Sequence, residues 1–258
     1  MKKYKLYNQN DYGHVPYPHA AHPKATVKTS GCGVCCASMV LEALTQGEHE
    51  PAAVAEYAIK VGARVSTGTD MAVLGRAAAR DFGLRYSTSS SLGAMLEALN
   101  AGAWVIANTG GDRSGYTGLF SNGGHYVTIR GIKDGKLMVC DPGYYPGKFD
   151  RPGRKGRVSI TSDGICVLPE QLDEDCKNRS PKYYLFEEAE MTQEQFDKMM
   201  ESYLAKRGEK GDSEWAKDAV EKAAATGISD GARPRAFATR EEVMSMILRS
   251  GGGGTKDM

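Results

Sequence analysis

Cys32 lies between two glycines at the head of an apolar run, Gly31-Cys32-Gly33-Val34-Cys35-Cys36. Cys36, Met39, Val40, Ala43 and Leu44 recur at helical spacing, which predicts a buried helix beginning near Cys32. A thiol at a helix N-terminus meets unpaired backbone N–H groups and the positive end of the helix dipole, both of which favour the thiolate. The thiolate is the form that attacks a carbonyl carbon. The flanking glycines are expected to let a substrate carbonyl approach, whereas Cys35 and Cys36, about one turn inside, are expected to pack in the core.

Thiol chemistry also needs a base and a group to orient it. Of the five histidines, His125 falls on a predicted strand, behind the Gly123-Gly124 pair, and Asp141 follows at the end of the next strand. Whether they share a face depends on the turn between their strands. A three-residue loop at Lys133-Asp134-Gly135 sets Ile132 opposite Lys136 and Val127 opposite Asp141, one diagonal step from His125. A two-residue turn at Asp134-Gly135 sets Thr128 opposite Asp141 and sends the carboxylate to the other face. The longer loop is therefore the expectation.

Other chemistries find less support. Cys32-x-x-Cys35 has the spacing of a zinc ligand pair, but no second close pair of Cys or His follows it. His14, His19 and His22 fall in a Pro-, Tyr- and Asn-rich stretch, Asn8 to Ser30, that reads as an irregular loop. The 258 residues carry 33 Lys and Arg against 32 Asp and Glu, so a net charge of +1 gives no electrostatic case for nucleic acid or an anionic membrane. No apolar run is long enough for membrane insertion, and the opening MKKYKLYNQNDYG lacks the apolar stretch of a secretory signal, so cytoplasmic synthesis is expected. The six cysteines are expected to be reduced.

The elements that must carry these groups follow from periodicity. Helices are predicted from Asp70 through Leu74 to Arg80 and around Leu92, Met95, Leu96 and Leu99. Strands are predicted over Ala103 to Asn108, His125 to Arg130 and Leu137 to Asp141, with weaker signals over Val158 to Val167 and Tyr183 to Phe186. Tyr144 to Gly156 reads as a loop. Helices followed by mostly antiparallel strands make an α+β domain over residues 1–190.

Composition shifts near Met191, which predicts a small helical module over 191–250 and a disordered tail at 251–258. Thr192 with Gln195 and Thr239 with Glu242 have capping-box spacing. Phe196, Met199, Met200, Tyr203 and Leu204 give the first helix an apolar face. The polar run AKRGEKGDSE follows it, and Trp215, Ala219, Val220 and Ala223 line the next helix, which ends at Gly227.

In order along the chain, Gln9 in YNQND, SGCGVCCASMVLEAL, LNAGAWVIANTG, GGHYVTIRGI and VCDPG resemble the papain-like cysteine peptidases of the bacteriocin-processing (double-glycine leader) family and its free-standing relatives. The resemblance implies that Gln9 helps form the oxyanion hole, Cys32 is the nucleophile, His125 the base and Asp141 its orienting acid, with no cofactor. Val34-Cys35-Cys36 departs from the Pro-Thr-Ser type run that relatives often carry, and no transporter membrane domain accompanies the peptidase segment. The run EWAKDAVEKAAATGISDGARPRAFATREEVMSMILR is similar to one S-layer homology repeat, which implies binding to a bacterial cell-wall polymer. Together these resemblances imply a phage endolysin-like wall hydrolase cutting an amide bond in peptidoglycan after its release from the cytoplasm. The alternatives are a protease acting on peptides or leaders and a non-catalytic wall-binding protein of the same fold.

Overall fold

The computed structural model describes residues 4–45, 47–162, 164–189 and 193–251, with only the backbone at Gln195. The capping box expected at Thr192 and Gln195 and the tail beyond Gly251 lie outside the described residues. The chain divides into two compact units, Met1–Ala189 and Glu190–Met258.

In the first unit a 3-10 turn, Gln9–Tyr12, and a short helix α1 (Val27–Ser30) precede α2 (Cys32–Thr45) and α3 (Pro51–Lys60). A small pair, β1 (Arg64–Val65) and β2 (Gly68–Thr69), leads into α4 (Met71–Phe82), β3 (Leu84–Ser89) and α5 (Leu92–Asn100). Then come β4 (Trp104–Thr109), β5 (His125–Lys133), β6 (Lys136–Cys140), β7 (Val158–Thr161), β8 (Gly164–Val167), α6 (Pro169–Asp175) and β9 (Tyr183–Glu188). Seven strands form one antiparallel sheet in the order β3-β9-β4-β5-β6-β8-β7.

Both faces of the sheet are covered, so its central strands are apolar on both sides. Trp104 and Ile106 of β4, with Tyr184 and Phe186 of β9, pack with α2, α3 and α4. The alternate residues Val105, Ala107, Tyr183 and Leu185 join Met95 and Leu99 of α5 and Leu172 of α6. Val34, Met39, Val40 and Leu41 of α2 are almost completely buried. At roughly 1.5–3 kcal/mol for each large apolar side chain, this burial makes α2 a fixed axis under the site.

Several elements differ from the sequence expectation. The stretch read as loop from Asn8 to Ser30 contains the 3-10 turn and α1, both too short to show apolar periodicity. α3 starts on Pro51, a favoured first helical residue, and buries Val54, Ala55 and Ala58. β3 and α6 were also not anticipated: β3 is an edge strand with half-buried Leu84 and Tyr86, and α6 is a short helix inside a polar segment.

The β5–β6 hairpin corrects the turn expectation. Lys133 pairs with Lys136, so the loop is the two-residue Asp134-Gly135 turn, with φ of 49° and 72°. Asp-Gly suits this left-handed turn, whose twist matches that of the strands. The pairing nevertheless shifts between Ile129 and Gly131, with Ile129 opposite Val139 but Gly131 opposite Met138. Arg130 is the inserted residue of a β-bulge, and Gly131, at φ 152°, accommodates it. Beyond the bulge Thr128 faces Cys140, which puts Val127 level with Asp141.

The second unit contains α7 (Gln193–Gly208), a 3-10 turn (Glu214–Ala216), α8 (Lys217–Ala225) and α9 (Arg240–Gly251). α7 runs into the polar segment expected to separate the helices. Thr239 and Glu242 make the expected capping box, with Thr239 N donating to Glu242 Oε2 at 2.7 Å and Glu242 N to Thr239 Oγ1 at 3.1 Å. Gly227, at φ 72°, follows the end of α8. The apolar face of α7 is present but exposed at Phe196, Met199, Met200, Tyr203 and Leu204, and Trp215 is 89% exposed.

Candidate active site

Cys32 is the first residue of α2 and is half-buried, while Cys35 and Cys36 face the core and are fully buried. α1 and α2 are separated by Gly31 alone. Its N–H donates to the Val27 carbonyl and its carbonyl accepts from Cys35 N, so the thiol is fixed at a continuous hydrogen-bonded corner. The two glycines also serve packing. A Cβ at Gly31 would stand 2.6 Å from Val27 Cγ1, and one at Gly33 2.8 Å from Thr69 Cβ. Each lets backbone approach a neighbour of the same unit.

His125 opens β5 opposite Thr109, whose Oγ1 donates to the His125 carbonyl at 3.0 Å. Its Nε2 lies 2.8 Å from Asp141 Oδ1, which leaves Nδ1 for the Cys32 thiol that hydrogen-bonds the ring. Gly143 permits this close packing, since a Cβ there would lie 3.1 Å from His125 Cε1. Gly124 similarly makes room for Arg179, whose Nη2 would be 2.4 Å from an added Cβ.

Asp141 follows the last residue of β6 and has no exposed side-chain surface. Oδ1 also accepts from Gly143 N at 2.8 Å, and Oδ2 accepts from Lys148 Nζ. The structure thus joins Cys32, His125, Asp141 and Lys148 in one line of contacts. Gln9 is tied to both ends of this corner: its backbone N donates to the Pro142 carbonyl at 2.7 Å, and its Nε2 to the Lys28 carbonyl at 2.7 Å. Its buried Oε1 has no hydrogen-bond partner.

Electrostatics in this line favour charge separation. Burial pushes the Cys32 thiol up, but hydrogen bonding and charge from His125, with backbone bonds from Tyr126 and Gly33, bring it below the usual thiol value. Burial opposes the charge on His125, yet Asp141 and Cys32 raise its pKa to about 9. Asp141 is likewise penalised by burial but held below the usual carboxylate range by His125 and Lys148. Burial instead pushes Cys35 and Cys36 well up, so they remain neutral thiols.

Among the described residues no group of three or more His, Cys, Asp and Glu side chains could hold a metal ion. His19 and His22 face each other in an isolated backbone bridge, and the exposed His14 stacks on Tyr12. No helix among the described residues is long and apolar enough to cross a membrane.

Helices leading into an antiparallel sheet, with a thiol, an imidazole and a carboxylate aligned where they meet, have the layout of a papain-like peptidase. Residues 1–151 match the Peptidase_C39 like family, and the chain belongs to that family of peptidases, hydrolases by class. Among solved structures, it is similar to a C39-like peptidase from Bacillus anthracis, at 13% identity and a TM-score of 0.45, over 73% of this chain and 98% of that one. It is also similar to the peptidase domain of Streptococcus ComA, a bifunctional ABC transporter involved in a quorum-sensing pathway, at 12% identity and a TM-score of 0.37, over 60% of this chain and 91% of that one. No curated relative matches the sequence. The family match ends at residue 151, so the S-layer likeness of the C-terminal segment rests on its sequence motifs alone.

Lys148 is the member of the site that sequence reasoning missed. It falls in the Pro- and Gly-rich stretch read as a loop, seven residues after Asp141, and nothing in its neighbours separates it from the exposed basic residues around it. Its burial goes with its bonds to Asp141 Oδ2 and the Gly143 carbonyl, partners that only the fold brings near.

Proposed function

We propose that the protein is a cysteine peptidase-amidase that hydrolyses an amide bond in bacterial peptidoglycan, with Cys32 as nucleophile. The observation that carries the chemistry is the Cys32–His125–Asp141 line. The Cys32 thiolate attacks the carbonyl carbon, a C–S bond forms and the carbonyl π pair moves onto oxygen. The backbone N–H of Cys32 and the remaining Nε2 hydrogen of Gln9 stabilise that oxyanion. Imidazolium His125 then gives its proton to the amine nitrogen as the C–N bond breaks, leaving a thioester. Water adds to the thioester while His125 takes its proton, and the carboxylic acid and thiolate are released. Asp141 holds the imidazole in the tautomer and orientation that both steps need.

The wall substrate is supported by the S-layer-like motifs of the second unit. That unit has a hollow of about 820 Å³ lined by Trp215, Val220, Arg233, Pro234, Phe237 and Glu242, a mixture of aromatic and charged groups suited to a sugar-containing polymer. In this reading the enzyme is made in the cytoplasm and acts on the wall after release. A second reading, cleavage of a peptide or leader, is favoured by the peptidase family to which residues 1–151 belong. Digestion of purified Gram-positive walls, with new amine and sugar termini identified by mass spectrometry, separates the two. New termini absent from Cys32→Ala digests support the wall hydrolase, and intact walls beside a cleaved peptide library select the second reading.

A further inference from the structure

We propose that Lys148 is a positioning residue of this site: its buried ammonium holds the Asp141 carboxylate as an anion through Oδ2, which keeps Oδ1 on the His125 imidazole. The inference rests on the Cys32–His125–Asp141 reading and extends it by one charge.

Lys148 is only 4% exposed in its side chain and Asp141 is 0% exposed. A cation is removed from water at a cost of several kcal/mol and persists where a counter-charge and hydrogen bonds replace hydration. Lys148 has both, donating to Asp141 Oδ2 and, at 3.0 Å, to the Gly143 carbonyl. Since Gly143 N donates to Oδ1, the carboxylate is gripped from both sides by the turn that follows it. The segment carrying Lys148 is itself anchored. Phe149 is buried in an edge contact with Phe120 at 5.8 Å, and buried Arg154 donates to the Gly118 carbonyl at 2.7 Å and to Asn122 Oδ1 at 2.8 Å.

Charge balance explains why this position takes a cation instead of a neutral donor. In the reactive state Cys32 and Asp141 are negative and His125 is positive, which leaves an excess negative charge in a buried site. Lys148 cancels it. The other ionisable groups around the set are Cys35 and Cys36 on α2, Tyr126 on β5, Cys140 at the end of β6, Tyr17 before α1, and Arg154. The thiols and phenols among them are shifted upward and stay neutral around pH 7, and Arg154 is already engaged by Gly118 and Asn122. Among the described residues, Lys148 is therefore the cation that contacts the carboxylate beside the His125 imidazolium itself.

Removing a positive charge raises the pKa of every group that feels it. In the full chain, Lys148→Met should therefore shift both the thiolate onset of Cys32 and the loss of the imidazolium to higher pH, each by about one unit. The probes are iodoacetamide, with alkylation of the Cys32 peptide followed by mass spectrometry across pH for the thiolate limb, and NMR titration of the His125 ring for the imidazolium limb, so no natural substrate is needed. Lys148→Arg should keep both limbs where they are. Lys148→Gln, which retains a donor without charge, should shift them as Lys148→Met does.

Profiles of Lys148→Met or Lys148→Gln that superimpose on the wild type would overturn the proposal. So would unfolding of both neutral variants beside a folded Lys148→Arg, which would make the pair purely structural. Failure of the underlying triad reading has a different signature: wild-type Cys32 would alkylate no faster than Cys35.

Discussion

His125 and Asp141 meet, with Nε2 2.8 Å from Oδ1, through a ladder that slips by one residue between Ile129 and Gly131. The turn at Asp134-Gly135 alone would have placed Thr128, rather than Val127, level with Asp141. The bulge at Arg130 cancels that displacement. Strand alternation then brings His125, two residues before Val127, onto the face of the carboxylate.

The bulge makes opposite expectations for neighbouring changes. Deleting Arg130 removes the inserted residue and leaves all the other pairings in place, so the deletion variant should keep at least about a tenth of wild-type turnover. Gly131→Val keeps the residue count but penalises φ of 152° and brings a Cβ to 3.2 Å from Met138 Cε. It should favour the regular register, turn Asp141 away and lower turnover by roughly 10²-fold or more. Turnover and histidine NMR titration of both variants check this, and equal loss in the two would refute the register argument.

The three cysteines of α2 should separate chemistry from packing. Cys32→Ala should abolish hydrolysis with little change in melting temperature, because the side chain is half-buried at a helix start. Cys35→Ala and Cys36→Ala should retain chemistry and lose about 1–2 kcal/mol of stability through the cavities left in a closed core. Denaturant melts beside turnover measurements decide, and a silent Cys32→Ala would end the nucleophile assignment.

The pH profile should have a rising limb below the ordinary thiol value and a falling limb near pH 9, where the His125 imidazolium is lost. Asp141→Asn removes the charge that raises His125, so its falling limb should move down toward the ordinary imidazole value of about 6.5, opposite to the shift expected for Lys148→Met. Stability follows the same signs. His125, raised in the folded state, stabilises fully below its unfolded value and loses that contribution as pH climbs through about 9. Asp141, depressed, stabilises above its unfolded value and loses that contribution as pH falls through its folded one. Melting temperature against pH for wild type and Asp141→Asn measures both effects.

How much was legible in the sequence differs from residue to residue. Cys32 and the helix behind it could be read because an apolar 3.6-residue period and a glycine-flanked thiol are local signals. The strand carrying His125 and the acid at Asp141 were equally local. Their register was not, because it depends on a bulge whose only trace is Gly131 inside an otherwise regular strand. The packing role of Gly31 and Gly33 was hidden for the same reason: Val27 and Thr69 become their neighbours only after folding. Lys148 left no local signal at all, since its burial goes with a carboxylate and a carbonyl that only the fold brings to it.

The last expectation concerns the two compact units, Met1–Ala189 and Glu190–Met258. Gln9, Cys32, His125, Asp141 and Lys148 all belong to the first, so a fragment ending at Ala189 should cleave soluble peptidoglycan fragments at rates close to those of the whole chain. If the second unit binds walls as proposed, the fragment should be slower on intact walls by about tenfold or more, because such a unit raises the local concentration of enzyme without touching the reacting bond. The second unit, with Trp215 and Arg233 at its hollow, should sediment with walls and cut nothing. Its exposed Phe196, Met199 and Tyr203 make self-association a necessary control, so the pelleting assay is run beside sedimentation without walls. If the fragment clears intact walls as fast as the whole protein and the second unit stays in the supernatant, wall targeting is lost. Cleavage of a peptide or leader then becomes the better account of the same Cys32 chemistry.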